Sequence, residues 1–321
     1  MSEIIKLAQG SGGFETSRLI SEIFSEKLGN EYLNRGEDAA VLDVSGKIAY
    51  STDSFVVEPI IFPGGDIGKL SVCGTVNDLA MMGARPMYLT IGFILEEGLC
   101  VDTLREIVSS IAECAKEAQV KIVAADTKVV PGNGGMYINT SGIGIIPDGR
   151  DCRTENIKDG DKILISRSIG DHHAAIMSAR MGIENDIKSD VNPVNHQVEA
   201  LFEAGVNIRV MRDVTRGGLG TVLNELSEKS SVGMVLCEED IPVAPTTASL
   251  CKILGLDIFY MGNEGTFIAI IPSEDADVAL GTLPNARIIG ECSGGKVIVK
   301  NSFGGERVLP VLYGEGLPRI C

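Results

Sequence analysis

Apolar positions along this 321-residue chain recur with two periods, close to 3.6 in some stretches and close to 2 in others. The plainest helical stretch is 102–119, where Leu104, Ile107, Val108, Ile111 and Ala115 fall on one face. A second helix is expected over 66–82, with strands over 87–95, 121–125 and 137–146. Nearer the start, Thr16 is placed to cap a helix whose apolar stripe is Leu19, Ile20, Ile23, Phe24 and Leu28. Two short strands, 39–44 and 47–52, follow it.

The pattern then breaks at Pro147-Asp148-Gly149-Arg150, a turn cluster. Alternation resumes with a strand over 162–166 and a helix opened by Asp171. Next come strand 208–211, helix 219–230, strand 234–237, helix 246–254 and strand 266–272. The end is β-rich, over 287–291, 296–299 and 307–311. Strands alternating with helices predict an α/β (α+β) protein. Four regions are expected: an arm and helix (1–35), a first domain (36–150), a second α/β domain (151–312) and a tail (313–321).

Composition narrows the class. Hydrophobic residues make up 44% and charged residues 22%, as in a soluble globular protein. The formal charge of −16 repels phosphate backbones and argues against nucleic-acid binding. No apolar run reaches the roughly 18 residues that span a bilayer, so no membrane association is expected. The eight Cys include no C-x-x-C pair, and Cys73, Cys114 and Cys251 lie in apolar runs. They read as reduced, buried thiols of a cytoplasmic protein.

Five aspartates share one context, an apolar run ending among small neighbours. They are Asp38, Asp53, Asp78, Asp126 and Asp213. Carboxylates so placed suit a hard cation such as Mg²⁺, which would let an acidic site accept a polyphosphate. Each taken singly is equally a turn or cap residue. Gly68-Lys69 resembles the tail of a P-loop, but Pro63 and Leu70 stand where that motif needs Gly and Ser/Thr. A nucleotide bound here is held by another architecture. Arg216-Gly217-Gly218 leads into a helix whose backbone N–H groups suit an anion. Lys128 is placed to neutralise phosphate, and Glu264, between glycines, to act as a base or metal ligand. His172 and His173 are adjacent and point to different helix faces, which disfavours a shared metal. The chain ends on Pro318-Arg319-Ile320-Cys321, with a terminal thiol that is a candidate nucleophile.

These segments together resemble the hydrogenase maturation family HypE. The matching stretches are Gly36-Glu37-Asp38-Ala39-Ala40-Val41, Ser51-Thr52-Asp53-Ser54-Phe55, Asn77-Asp78-Leu79-Ala80, Ala125-Asp126-Thr127-Lys128, Asp213-Val214-Thr215-Arg216-Gly217-Gly218, Gly262-Asn263-Glu264-Gly265 and the Pro-Arg-Ile-Cys end. The first five recur more loosely in a wider ATP-using superfamily, with aminoimidazole ribonucleotide synthetase, selenophosphate synthetase and thiamine-phosphate kinase. The resemblance implies a two-domain fold whose first domain pairs across a homodimer to form a shared β-barrel. It implies ATP and Mg²⁺ in the interdomain cleft. Asp38, Asp53, Asp78, Asp126 and Asp213 would hold metal and phosphate, with Asn77, Thr127, Lys128, Arg216, Gly217 and Gly218 around the nucleotide.

It further implies that Cys321, Lys128 and Glu264 carry the catalysis. The reaction would be ATP-dependent dehydration of an S-carbamoyl group on Cys321 to a thiocyanate. The carbamoyltransferase HypF would be the donor and the HypC–HypD complex the acceptor. The alternative is a small-molecule kinase or ATP-dependent ligase of the same superfamily. The chain departs from the family at Asp171-His172-His173, where Asp-His-Gly is usual, and its Gly-rich arm lacks the reactive Cys of selenophosphate synthetases.

Overall fold

The computed structural model describes residues 3–11 and 13–312. The tail with Cys321 lies outside the described residues. The amino-terminal segment forms α1 (Gly13–Leu19) and α2 (Glu26–Leu28), joined by a wider π-helical stretch, Ile20–Ser25. Thr16 lies inside α1 and does not cap it. Leu19, Ile23, Phe24 and Leu28 are buried as their spacing predicts, whereas Ile20 is exposed.

The first half is a four-stranded sheet in the order β1-β6-β4-β5. Its strands are β1 (Lys47–Phe55), β4 (Arg85–Glu96), β5 (Lys121–Val130) and β6 (Met136–Ile146). Between β1 and β4 lie the short pair β2 (Ile61–Phe62) and β3 (Gly65–Asp66), then α3 (Ile67–Met81). Helix α4 (Val101–Glu117) connects β4 to β5, which run parallel. Residues 39–44 are not a strand. They are irregular and none is fully buried, with Val41 facing solvent, so β propensity there has no core face to bury.

Helix α3 ties the molecule together. Asp66 caps it, accepting hydrogen bonds from Gly68 N (2.7 Å) and Lys69 N (3.0 Å). It is apolar around nearly its whole circumference, the mark of a helix buried on all sides. Ile67, Leu70, Val72, Cys73 and Val76 join the first core, while Ala80 and Met81 enter a core of the second half.

The second half is a seven-stranded sheet, β13-β12-β9-β11-β7-β10-β8. In chain order the elements are β7 (Lys162–Ile165), α5 (Asp171–Met181), α6 (Asn195–Glu203), β8 (Val210–Asp213), α7 (Gly218–Ser230), β9 (Met234–Cys237) and α8 (Pro245–Leu254). Then follow β10 (Phe267–Ile271), α9 (Ala276–Thr282), β11 (Arg287–Cys292), β12 (Val297–Lys300) and β13 (Glu306–Val308). Every residue of β10 is buried. Ile268 and Ile270 pack with Leu219, Leu223 and Leu226 of α7. Phe267, Ala269 and Ile271 pack on the other face with Val198 and Leu201 of α6 and Ala279 of α9. One strand thus supplies two cores, which is why it reads as a continuous apolar run. The short helix α9 has no counterpart among the sequence expectations.

Candidate functional site

Strand β1 and helix α3 meet face to face because Gly74 leaves room for them. A Cβ at Gly74 would stand 2.7 Å from the Phe55 ring. The side chain of Asp53, on the helix-covered side of the sheet, therefore approaches α3, and Ser51 Oγ donates to Asp78 Oδ2 at 2.6 Å. From the second half, β8 ends at Asp213 and the turn before β10 presents Glu264. These groups line a cavity of about 200 Å³ with Thr52, Ser54, Thr215 and Arg216. A larger cavity of about 780 Å³ begins at Val56 and Val57, directly after β1, and includes Glu96, Tyr137 and Arg180.

The smaller cavity is crowded with negative charge. Burial, and then the charges of Asp78 and Asp53, raise Asp213 from 3.8 to about 7. Burial first and Asp53 next also raise Asp78, against the stabilising hydrogen bond from Ser51. Glu264 is held well above its ordinary value by burial and by Asp213, Asp190 and Asp53, with only Arg216 acting the other way. Buried like charges without full compensation mark a functional site more often than a structural one. They also suit a divalent cation. Among the described residues no three such groups stand close enough together to hold a metal ion by themselves.

Arg216 stands at the mouth of α7, where Gly217 and Gly218 both adopt positive φ (79° and 62°). The amide of Gly218 already donates to Thr215 O at 2.9 Å.

Not every predicted residue comes to this cavity. Asp126 and Lys128 lie within β5, which runs on to Val130 rather than ending at 125. Lys128 Nζ bonds both Asp126 oxygens at 2.7 Å, and this contact lowers the aspartate. Register places Asp126 beside Gly92 and, across the sheet, Asn139 and Ser54. Asp53 pairs with Thr140, one position over, so the two aspartates occupy opposite faces and opposite edges. Thr127 is half-buried beside them, and Asp38 is exposed in the irregular 36–46 stretch.

Asn77 is buried and faces the second half instead. Its Nδ2 donates to Asn192 O (3.1 Å) and Glu264 O (3.3 Å), and its Oδ1 accepts from Val194 N (2.9 Å). It staples the halves together beside Asp78. His172 and His173 are both buried; His172 Nδ1 lies 2.7 Å from Ser189 Oγ. Sequence reasoning passed over Gly74 and Asp190. Gly74 sits in an ordinary apolar run, and Asp190 in a polar loop that carried no motif.

Comparison with known proteins gives this arrangement its class. The family described as "AIR synthase related protein" matches through its N-terminal domain at residues 36–146 and its C-terminal domain at 158–300. The chain belongs to that family of two-domain proteins. Carbamoyl dehydratase HypE of Azotobacter vinelandii is 46% identical over 331 residues, spanning 99% of this chain and 97% of that protein. The crystal structure of hydrogenase maturation protein HypE in complex with ATP matches with a TM-score of 0.93 at 45% identity, covering 98% of this chain and 99% of that one. The HypE–HypF complex matches with a TM-score of 0.80 at 46% identity, covering 92% and 99%. Within the class, the chain is a member of the carbamoyl dehydratase HypE family.

Proposed function

We propose that this protein dehydrates an S-carbamoyl group on its own Cys321 to a thiocyanate, using ATP. The observation that carries this reading is the interdomain cavity in which Asp53, Asp78, Asp213 and Glu264 meet. A carboxylate kept strongly basic within a set that can receive Mg-phosphate is what such a dehydration needs.

An amide oxygen is a poor leaving group. Attack of the carbamoyl oxygen on the γ-phosphorus of ATP releases ADP and converts that oxygen to a phosphate ester. Loss of one N–H proton gives the neutral imidate phosphate; departure of phosphate, which carries the oxygen away, with loss of the second N–H proton leaves Cys321–S–C≡N. Glu264 takes the second proton: it is buried and lines the cavity with Asp53, Asp78 and Asp213. Asp53, Asp78 and Asp213 would hold Mg²⁺, which when bound withdraws charge from the phosphates. Arg216 adds positive charge at the opening.

Asp38, Asp126 and Lys128 lie apart from this cavity in a single chain. A homodimer accounts for the separation. The sheet face opposite α3 and α4 carries Asp126 and Lys128 together with exposed Tyr50, Ile94 and Tyr137, and pairing of two such faces into a barrel would bring Lys128 of one copy towards the site of the other. Mixed dimers of Lys128→Ala and Glu264→Gln chains test this, since recovered activity requires sharing across copies.

We assign HypF as carbamoyl donor and the HypC–HypD complex as cyanide acceptor, in the cytoplasm, where the thiols stay reduced. Among the described residues no helix is long and apolar enough to cross a membrane.

The deciding measurement is the intact mass of Cys321-carbamoylated protein before and after Mg-ATP. Loss of one water mass, abolished by Cys321→Ser, supports the proposal. Unchanged carbamoylated mass with ADP accumulating rejects it in favour of a small-molecule kinase or ligase.

A further inference from the structure

The segment between α5 and α6 contains a buried carboxylate that the scheme above does not use. Asp190 is 4% exposed. Its Oδ1 accepts from Glu264 N at 2.9 Å, and its Oδ2 accepts from Gly265 N at 3.0 Å and Thr266 Oγ1 at 2.8 Å. Both oxygens are thus spent on three consecutive residues, the turn that carries Glu264 into the cavity.

The backbone closes the same grip from the other side. Asn192 N donates to Glu264 O at 3.3 Å, and Asn77 Nδ2 reaches that carbonyl as well. A Cβ on Gly265 would lie 2.0 Å from Asp190 O, so only glycine permits this approach. Leaving an ionisable group in such a place is costly, because neutral residues pack a turn without the desolvation penalty. No salt-bridge partner for Asp190 is found among the described residues. Its hydrogen-bond donors all belong to the Glu264 turn, and the nearby charge of Arg167 adds to their compensation.

We propose that Asp190 is a positioning residue for the reaction, clasping the 264–266 turn so that the Glu264 carboxyl is held at the reacting group. This rests on the reading of Glu264 as the base. Misplacing a reacting group by about 1 Å costs on the order of 100-fold in rate. Loss of the clasp therefore slows the chemical step about 10- to 100-fold and leaves nucleotide binding, which uses the other carboxylates, within about threefold.

The test uses the full chain carbamoylated at Cys321, with single-turnover dehydration followed by intact mass and ATP binding followed by titration. Hydrogen exchange at the Glu264 and Gly265 amides is measured alongside. Asp190→Asn should speed exchange at those two amides, lower the rate as stated and retain ATP binding. Thr266→Val should do the same more weakly, and Thr266→Ser should restore it; this pair serves if Asp190→Asn fails to fold. In a Glu264→Gln background, Asp190→Asn should cost less than about threefold, because both changes act through one group. An equal loss in both backgrounds, or unaltered exchange at the two amides, overturns the proposal. Faster exchange together with a fully active Glu264→Gln chain would instead remove Glu264 as the base while leaving the clasp in place.

Discussion

Replacing Asp213 by Asn should stabilise the metal-free protein at alkaline pH while destroying its function. Asp213 is a half-buried residue with its carboxyl in the crowded cavity, and that environment raises it from 3.8 to about 7. The sign follows from linkage. Below 3.8 the group is protonated whether the chain is folded or not, and it has no effect. As pH rises, the unfolded chain ionises first and gains free energy that the folded chain does not share. Folded stability is therefore lost progressively up to about 7 and stays lost above it.

The full difference corresponds to about 4 kcal/mol at pH 8. Asp78, itself raised, shares the strain, and the new amide must find partners, so a net gain of about 2 kcal/mol is expected. For a 321-residue chain unfolding as one unit that raises the midpoint by about 3 °C. The assay is thermal unfolding of wild type and Asp213→Asn in chelator at pH 5 and pH 8. The variant should be more stable at pH 8 and show a flatter dependence on pH. With Mg-ATP added, the order should reverse, because a ligand at 100 times its Kd stabilises wild type by about 2.7 kcal/mol and the variant by much less. A variant less stable than wild type at pH 8 without ligand, with the same pH slope, would refute the claim that the site stores electrostatic strain.

Glu199 should behave in the opposite sense. Arg150 donates to it at 2.7 and 2.8 Å, Arg85 also contacts it, and the two guanidinium groups hold it down from 4.5 to about 2. This contribution is complete above pH 4.5 and is lost as pH falls through about 2. Glu199→Ala should therefore cost about 1–3 kcal/mol at pH 7, and equilibrium urea unfolding at pH 7 and pH 3 should show the difference shrinking in acid. Gly74→Ala puts a methyl into the Phe55 ring and should cost about 1–3 kcal/mol. By parting β1 from α3 it should also weaken ATP binding in calorimetric titration; unchanged binding would mean the cavity does not depend on that contact.

Periodicity alone located most of the regular elements. The stripe Leu104, Ile107, Val108, Ile111 placed α4 within two residues at either end, and β9 falls at 234–237 as expected. These stretches bury one face against a neighbouring layer, so the burial pattern is written into the local spacing. Where spacing misled, the cause was tertiary. The 39–44 stretch alternates like a strand but has no layer to pack on. Strand β5 continues past 125 because β4 offers pairing as far as Val130.

The site divides in the same way. Its chemistry was visible as Asp-containing motifs and the Gly-Asn-Glu-Gly turn. Which of them meet was not, because it depends on which sheet edge and which face each strand presents. Register turns Asp53 towards α3 and Asp126 away from it, although both motifs look alike in one dimension. The same holds for Asn77 and Asp190. Asn77 bonds residues 115 and 187 positions away, and Asp190 clasps a turn 74 to 76 positions further along. A polar residue's local sequence carries no record of such distant partners, so only the packing of the two halves made them part of the site.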